Sequence, residues 1–273
     1  MSERNRKPPY RKKPDFKRDR RDRPPPGRRP ARVAEPDTAI LYGWHTVEAA
    51  LANPDRRIRV LYATENGAKR LAADGIALKV TPQIVRPDEI ARRLGPDAVH
   101  NGLLAEADPL DAPDLSELPA EGIVLVLDQI TDPHNVGAIL RSAAAFGVKA
   151  LITTARHSPE ATGVLAKSAS GALEYVPLVT VQNLARGLNA LRERGFLLVG
   201  LDSEGAADLA DTTLRAPLAL VLGAEGKGLR QLTRETCDVT ARLDLPGAIK
   251  SLNVSNAAAL ALYVATTRLK ARG

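Results

Sequence analysis

From about residue 121 onward the chain alternates short, almost uninterrupted apolar runs with helical patterns, and few architectures accept that alternation. The runs are IVLVLD (123–128), KALITT (149–154), VPLVTV (176–181), FLLVGLD (196–202), LALVLG (218–223) and VTARLDL (239–245). A strand that is apolar on successive residues has to be covered on both faces, which is the property of a parallel sheet sandwiched between helices. The connecting segments fit that demand. Val136, Ile139, Leu140, Ala143 and Ala144 recur at helical spacing and define one buried stripe. The last segment, NAAALALYVATTRLKAR, is apolar nearly all round at its start. Such a helix must be buried by the body or by a second copy of the chain. The expected fold class is therefore α/β, with a parallel-sheet domain over 121–273.

The preceding stretch has a different texture. Residues 37–106 read as a small α/β module. AILYGWHTVEAALAN gives a strand, a glycine turn and a helix; RIRVLYA is a strand and GAKRLAADG a helix. ALKVTP reads as a further strand, and RPDEIARRLG as a helix stopped by Gly95. The acidic, proline-punctuated segment 107–120 reads as a linker. Residues 1–36 hold nine prolines and glycines among charges and almost nothing to bury, so they are expected to be a disordered arm. Residues 1–35 carry 14 Lys and Arg against 5 Asp and Glu, a net of +9, whereas the whole chain carries +7. The folded part is thus slightly acidic, and the basic character belongs to the arm. A polyanion such as RNA attracts an arm of this kind by counterion release; a solubilising tail is the alternative.

Other features narrow the field. Aromatic content is only 3%, which argues against a protein that holds single strands mainly by stacking bases on rings. Cys237 is the sole cysteine, so no internal disulfide forms and a reducing compartment is expected. His45, His100, His134 and His157 lack metal-ligand spacing, and no metal is expected. The basic start has no apolar stretch behind it and no run is long enough to span a bilayer. A soluble, cytoplasmic protein is expected.

Ligands of open parallel sheets bind beyond the carboxyl ends of the strands, and three polar segments fall there. In LDQITDPHNVGAILRSAAAFG (127–147), Asn135 and Arg141 lie off the apolar stripe and are not needed for packing. In LVLGAEGKGL (220–229), Glu225 sits among three glycines in six residues. That segment is no P-loop, because Val221 and Gly228 stand where a glycine and a Ser or Thr are required. In LDLPGAIKSLNVSNAAAL (243–260), Ser251 and Asn253 precede the buried helix, where either could simply cap it.

In this order, the three segments resemble the three motifs of the SpoU/TrmH family of RNA ribose 2′-O-methyltransferases, within the class of knotted methyltransferases. The likeness spans 121–273, and AILYGWHTVEAAL resembles the start of the RNA-binding module of the branch that acts on 23S rRNA guanosine. The resemblance implies a carboxy-terminal trefoil knot, a homodimer with its site near the subunit interface, and S-adenosylmethionine as cofactor. It implies that Arg141 activates the 2′-hydroxyl, that Asn135 holds Arg141 or the ribose, and that Glu225 fixes the arginine. Ser251 and Asn253 would position substrate and cofactor, while backbone near Gly223, Leu245 and Leu252 would hold the cofactor. The sequence departs from many relatives in the short connection from Pro246 to Ser251. The expected partner is structured RNA, 23S rRNA in the first place; tRNA is the alternative, and a noncatalytic RNA-binding relative a more distant one.

Overall fold

The computed structural model describes residues 38–95, 97–155 and 163–271; the basic arm lies outside them. Two sheets organise the described residues. The larger has seven strands in the order β7-β6-β5-β10-β8-β11-β9, all paired parallel. They are β5 (Ile123–Asp128), β6 (Leu151–Thr154), β7 (Leu178–Val181), β8 (Leu197–Leu201), β9 (Ala207–Asp208), β10 (Leu218–Gly223) and β11 (Val239–Arg242). The six apolar runs all form strands. β5 is buried on every residue, as its composition demands. Its odd-numbered side chains Ile123, Leu125 and Leu127 enter one core with Leu218, Leu220 and Leu222 of β10. That face is covered by α4 (Pro133–Ala145), α5 (Gly163–Ala169) and α8 (Val254–Lys270). The even-numbered Val124 and Val126 enter a second core with Leu184, Leu188 and Leu191 of α6 (Leu184–Glu193), and α7 (Gln231–Thr236) packs against α6 and β8. The period of two along each strand thus feeds two helical layers.

The stripe read for α4 is the buried one: Val136, Ile139, Leu140 and Ala143 are all inside. Asp132 caps that helix, its carboxylate accepting from the His134 amide at 3.0 Å, and Pro133 occupies the first turn.

The smaller sheet has the order β1-β4-β2-β3, from β1 (Ala39–Tyr42), β2 (Ile58–Ala63), β3 (Gln83–Ile84) and β4 (Leu103–Ala107). Its helices are α1 (Trp44–Ala52), α2 (Glu65–Ala73) and α3 (Pro87–Leu94), the last ending at Gly95 as expected. Two corrections concern this sheet. The segment ALKVTP is not a strand; parallel pairing with β2 is confined to Gln83 and Ile84. The Lys79 ammonium there donates to the carbonyls of Ala50, Asn53 and Arg56, so this segment is fastened to the end of α1 and the turn after it by a side chain and not by strand pairing. The central strand is β4, in LLAEA, which pairs antiparallel with both β1 and β2.

The two sheets share packing. Ala166 of α5 lies in the core of the smaller sheet, and the Thr46 hydroxyl donates to its carbonyl at 3.2 Å. Beside that contact Arg56 is buried with Glu174: Nη2 donates to Oε1 at 2.7 Å and Nε to both carboxylate oxygens, while Asn53 donates to Oε2 at 2.8 Å. Leu118 is buried against the larger sheet, and Arg194 donates to the carbonyls of Leu115 and Leu118. The segment read as a linker is held down at that point.

Candidate functional site

The parallel register brings several carboxyl ends to one edge. Asp128 of β5 stands opposite Gly223 of β10, Leu222 opposite Leu201 of β8, and Leu201 opposite Ala241 of β11. The segments that leave these strands build the site. Two buried carboxylates with no signal in the local sequence pin the loops. Asp128 is fully buried and accepts from the backbone N and Nε of Arg230, at 3.0 and 2.7 Å, which ties the end of the glycine-rich loop to the neighbouring strand. Asp202 is 4% exposed and accepts from Arg234 Nη2 at 2.7 Å. On the third loop the Arg242 guanidinium, 2.6 Å from Asp244, holds that carboxyl below its usual range.

Three residues from the three predicted segments meet. The Asn253 amide Nδ2 donates to Asn135 Oδ1 at 2.9 Å and to Glu225 Oε1 at 2.6 Å. Glu225 Oε1 also accepts from the Val254 amide at 3.0 Å. The other end of the Asn253 side chain caps α8, Oδ1 accepting from the Ser255 amide at 2.9 Å and the Ser255 hydroxyl at 2.6 Å. Asn253 is therefore both a helix cap and a junction between loops, and an oxygen alone would serve only the first task. Serine or threonine would cap as well but has no amide to donate twice.

Next to this junction an open cleft of about 210 Å³ lies between the ends of β8, β10 and β11. Gly223, Leu245, Ser251 and Leu252 line it, as does Glu225. Its walls are largely apolar, with Leu222, Leu243 and Val254 behind. Gly223 is required by the close approach of its own loop: a Cβ there would lie 2.1 Å from the Gly228 carbonyl carbon. The short connection after Pro246 is held by Lys250, whose ammonium donates to the Leu245 carbonyl at 2.6 Å.

Arg141 stands apart. Six positions after Asn135 on α4, it points about 120° away around the helix axis and is exposed, with no hydrogen bond or ion pair among the described residues. Glu225 reaches Asn253 and Val254 rather than Arg141, and Asn135 likewise reaches Asn253. The arginine-fixing contacts expected of Glu225 and Asn135 are replaced here by the asparagine-centred junction. Ser251 lines the cleft without joining that junction. Among the described residues no cluster of three or more His, Cys, Asp or Glu could hold a metal ion.

Comparison with known proteins agrees over nearly the whole described region. Residues 122–263 match the SpoU rRNA Methylase family, and residues 40–113 match a family described as RNA 2′-O ribose methyltransferase substrate binding. The chain is 40% identical over 237 residues to the 23S rRNA (guanosine-2′-O-)-methyltransferase RlmB of Ralstonia nicotianae, covering 83% of this chain and 94% of that one. It is 41% identical over 238 residues to RlmB of Pseudomonas aeruginosa, covering 82% and 94%. Among solved structures, the SpoU methyltransferase AviRb from Streptomyces viridochromogenes in complex with AdoMet superposes with a TM-score of 0.70 at 26% identity, over 84% of this chain and 89% of that one. Motif order, fold and similarity over 83% of the chain converge, and the chain belongs to the SpoU rRNA methylase family.

Proposed function

We propose that this protein transfers the methyl group of S-adenosylmethionine to the ribose 2′-hydroxyl of a guanosine in 23S rRNA. The observation that carries the reading is the junction of Asn135, Glu225 and Asn253 at the mouth of a cleft walled by strand ends, in a chain whose relatives carry that activity in their names. The cleft suits the cofactor. Apolar walls from Leu222, Leu243, Leu245 and Leu252 can take an adenine ring, and the tight Gly223 turn leaves its backbone free of side chains. When bound, the cofactor supplies an electrophilic methyl on a sulfonium. The chain's own work is to hold the ribose hydroxyl in line and to ease loss of its proton. Asn135 and Asn253 orient the ribose edge, with Glu225 keeping the Asn253 amide directed. Ser251 lies beside the cleft to contact substrate or cofactor. A guanidinium is a poor base, so the proton of the hydroxyl would leave to phosphate or water. Arg141, on the exposed side of α4, would stabilise the developing alkoxide or an adjacent phosphate where the bound RNA reaches round that helix.

The same reading includes a homodimer, a carboxy-terminal trefoil knot, a cytoplasmic location, and a division into arm (1–36), RNA-binding module (37–106), linker (107–120) and catalytic domain (121–273). One face of α8 is buried through Val254, Ala258, Ala261, Leu262 and Ala265, and exposed Leu260 and Tyr263 on the same helix support the dimer, because they leave apolar side chains that a second copy could cover. The alternative substrate is tRNA. A solved structure described for 2-OH methylation of C/U34 on tRNA is 28% identical with a TM-score of 0.51, but its full length is matched by 56% of this chain. The small module has its own substrate-binding family match, and this favours rRNA. Incubation with labelled cofactor and separate rRNA and tRNA pools, followed by primer extension at low nucleotide concentration, tests the proposal. A single stop in 23S rRNA is the expected result; label in tRNA alone overturns it.

A further inference from the structure

The strongest unassigned feature lies where α5 meets the smaller sheet. Lys167 lays its side chain across the turn between β1 and α1. Gly43 permits this: at φ 88° it carries no Cβ, and one placed there would sit 2.3 Å from the lysine Nζ and 3.1 Å from its Cδ. A glycine turn that receives the end of a lysine is a specific fit, not an accident of a solvated side chain. Lys167 makes no ion pair among the described residues, and the first turn of α1 holds no acidic residue. His100 lies close enough to feel the ammonium, and its Nδ1 accepts from the Gly102 amide at 3.0 Å, which leaves Nε2 to carry a proton. His100 in turn borders a cleft with Trp44, Thr64, Asn66, Arg70 and Asn101, none of them acidic. Arg70 lies over the Trp44 ring, 3.7 Å from its centre, and among the described residues its one carboxylate partner is the exposed Asp74 at 3.5 Å.

We propose that Lys167, His100 and Arg70 form a composite site for a backbone phosphate of the substrate RNA, built from both the small module and the catalytic domain. This rests on the reading of the protein as an RNA methyltransferase. His100 and Arg70 border one cleft, and Lys167 lies at Gly43, the residue before Trp44 of that cleft; no acidic residue lines it, and a phosphodiester is the anion that such a substrate brings. Burial pushes the Lys167 ammonium below the usual lysine range, and burial together with Lys167 does the same to the His100 imidazole. An incoming anion would relieve both. The position matters as well. Ser168, the next residue on α5, has its hydroxyl 3.3 Å from His134 Nδ1, directly before Asn135. A phosphate held at Lys167 is thus connected through one helix to the start of α4, so the site would set the reach between module and reacting ribose.

The test uses the full chain and a fluorescent 23S rRNA fragment, with affinity read by anisotropy at several salt concentrations and methyl transfer measured separately. Lys167→Gln should weaken RNA binding about 3- to 10-fold at moderate salt and flatten the log affinity–log salt slope by about 1. Lys167→Arg should recover most of the affinity, and cofactor binding by calorimetry should be unchanged in both. Arg70→Gln, on a side chain that is 57% exposed, should give a similar flattening with an unchanged Tm. Wild-type slopes and affinities in both Gln variants overturn the proposal. RNA binding that depends on Lys167 without methyl transfer by the wild type would uphold this site and overturn the proposed function instead.

Discussion

The Arg56–Glu174 pair offers a calculable perturbation. Their side chains are 4% and 1% exposed, and the carboxylate accepts from Arg56 Nε and Nη2 and from Asn53. In Glu174→Ala the guanidinium, 4% exposed, keeps only its bond from Nη1 to the Asp108 carbonyl, at 2.8 Å. Breaking one side of a buried pair costs about 3–5 kcal/mol, because the surviving charge stays desolvated. In a domain of this size each kcal/mol lowers Tm by about 2–4 °C, so a fall of about 6–20 °C is expected. The double variant Arg56→Met/Glu174→Leu removes both charges and fills similar volume; it should recover most of the loss. Urea unfolding of wild type, Arg56→Met, Glu174→Leu and the double variant closes the cycle. A Glu174→Ala loss below about 1 kcal/mol, or a double variant no better than the single ones, would show that the pair is solvated and that the reasoning is wrong.

Arg141→Ala and Asn135→Ala should each cut methyl transfer more than tenfold, over about 1.4 kcal/mol, with cofactor binding within a few-fold of wild type by calorimetry. Gly223→Ala should abolish cofactor binding, because its methyl would collide with the Gly228 backbone; retained binding would mean that the loop has another conformation. The Cys237 thiol is pushed up to about 12, by burial first and then by Asp238. Held that far above pH 8, the thiol stays protonated there, and alkylation should proceed only on unfolding. Deleting residues 1–36 should flatten the salt dependence of RNA affinity by about 3 to 5 units without moving the methylated position; an unchanged slope would make the arm a solubility device.

The larger sheet was legible because each strand is an apolar run, which one residue after another reports. The smaller sheet was less so. LLAEA is short and alanine-rich, and its place between two antiparallel neighbours decides that it is a strand. ALKVTP looks like a strand by composition, yet Lys79 is committed to carbonyls on the preceding turn. At the site, only Asn135 and Arg141 lie visibly off a packing stripe; Glu225 could simply be exposed and Asn253 could simply cap a helix, and it is the resemblance to the three family motifs that singles them out. The mutual contacts of Asn135, Glu225 and Asn253, and the buried Asp128 and Asp202 behind them, depend on strand order and leave no local trace.

The central pairing of β5 with β10 also governs when this protein can become active. Ile123 must wait for Leu218, and Asn135 for Asn253, 118 residues later in synthesis. Pairings so distant in sequence are slow to form, and a nascent chain halted before α8 would expose the face of α4 that the helix covers. The junction at the cleft is therefore assembled only after α8 has been synthesised, and products truncated before that helix should emerge as substrates for chaperones rather than as partial enzymes.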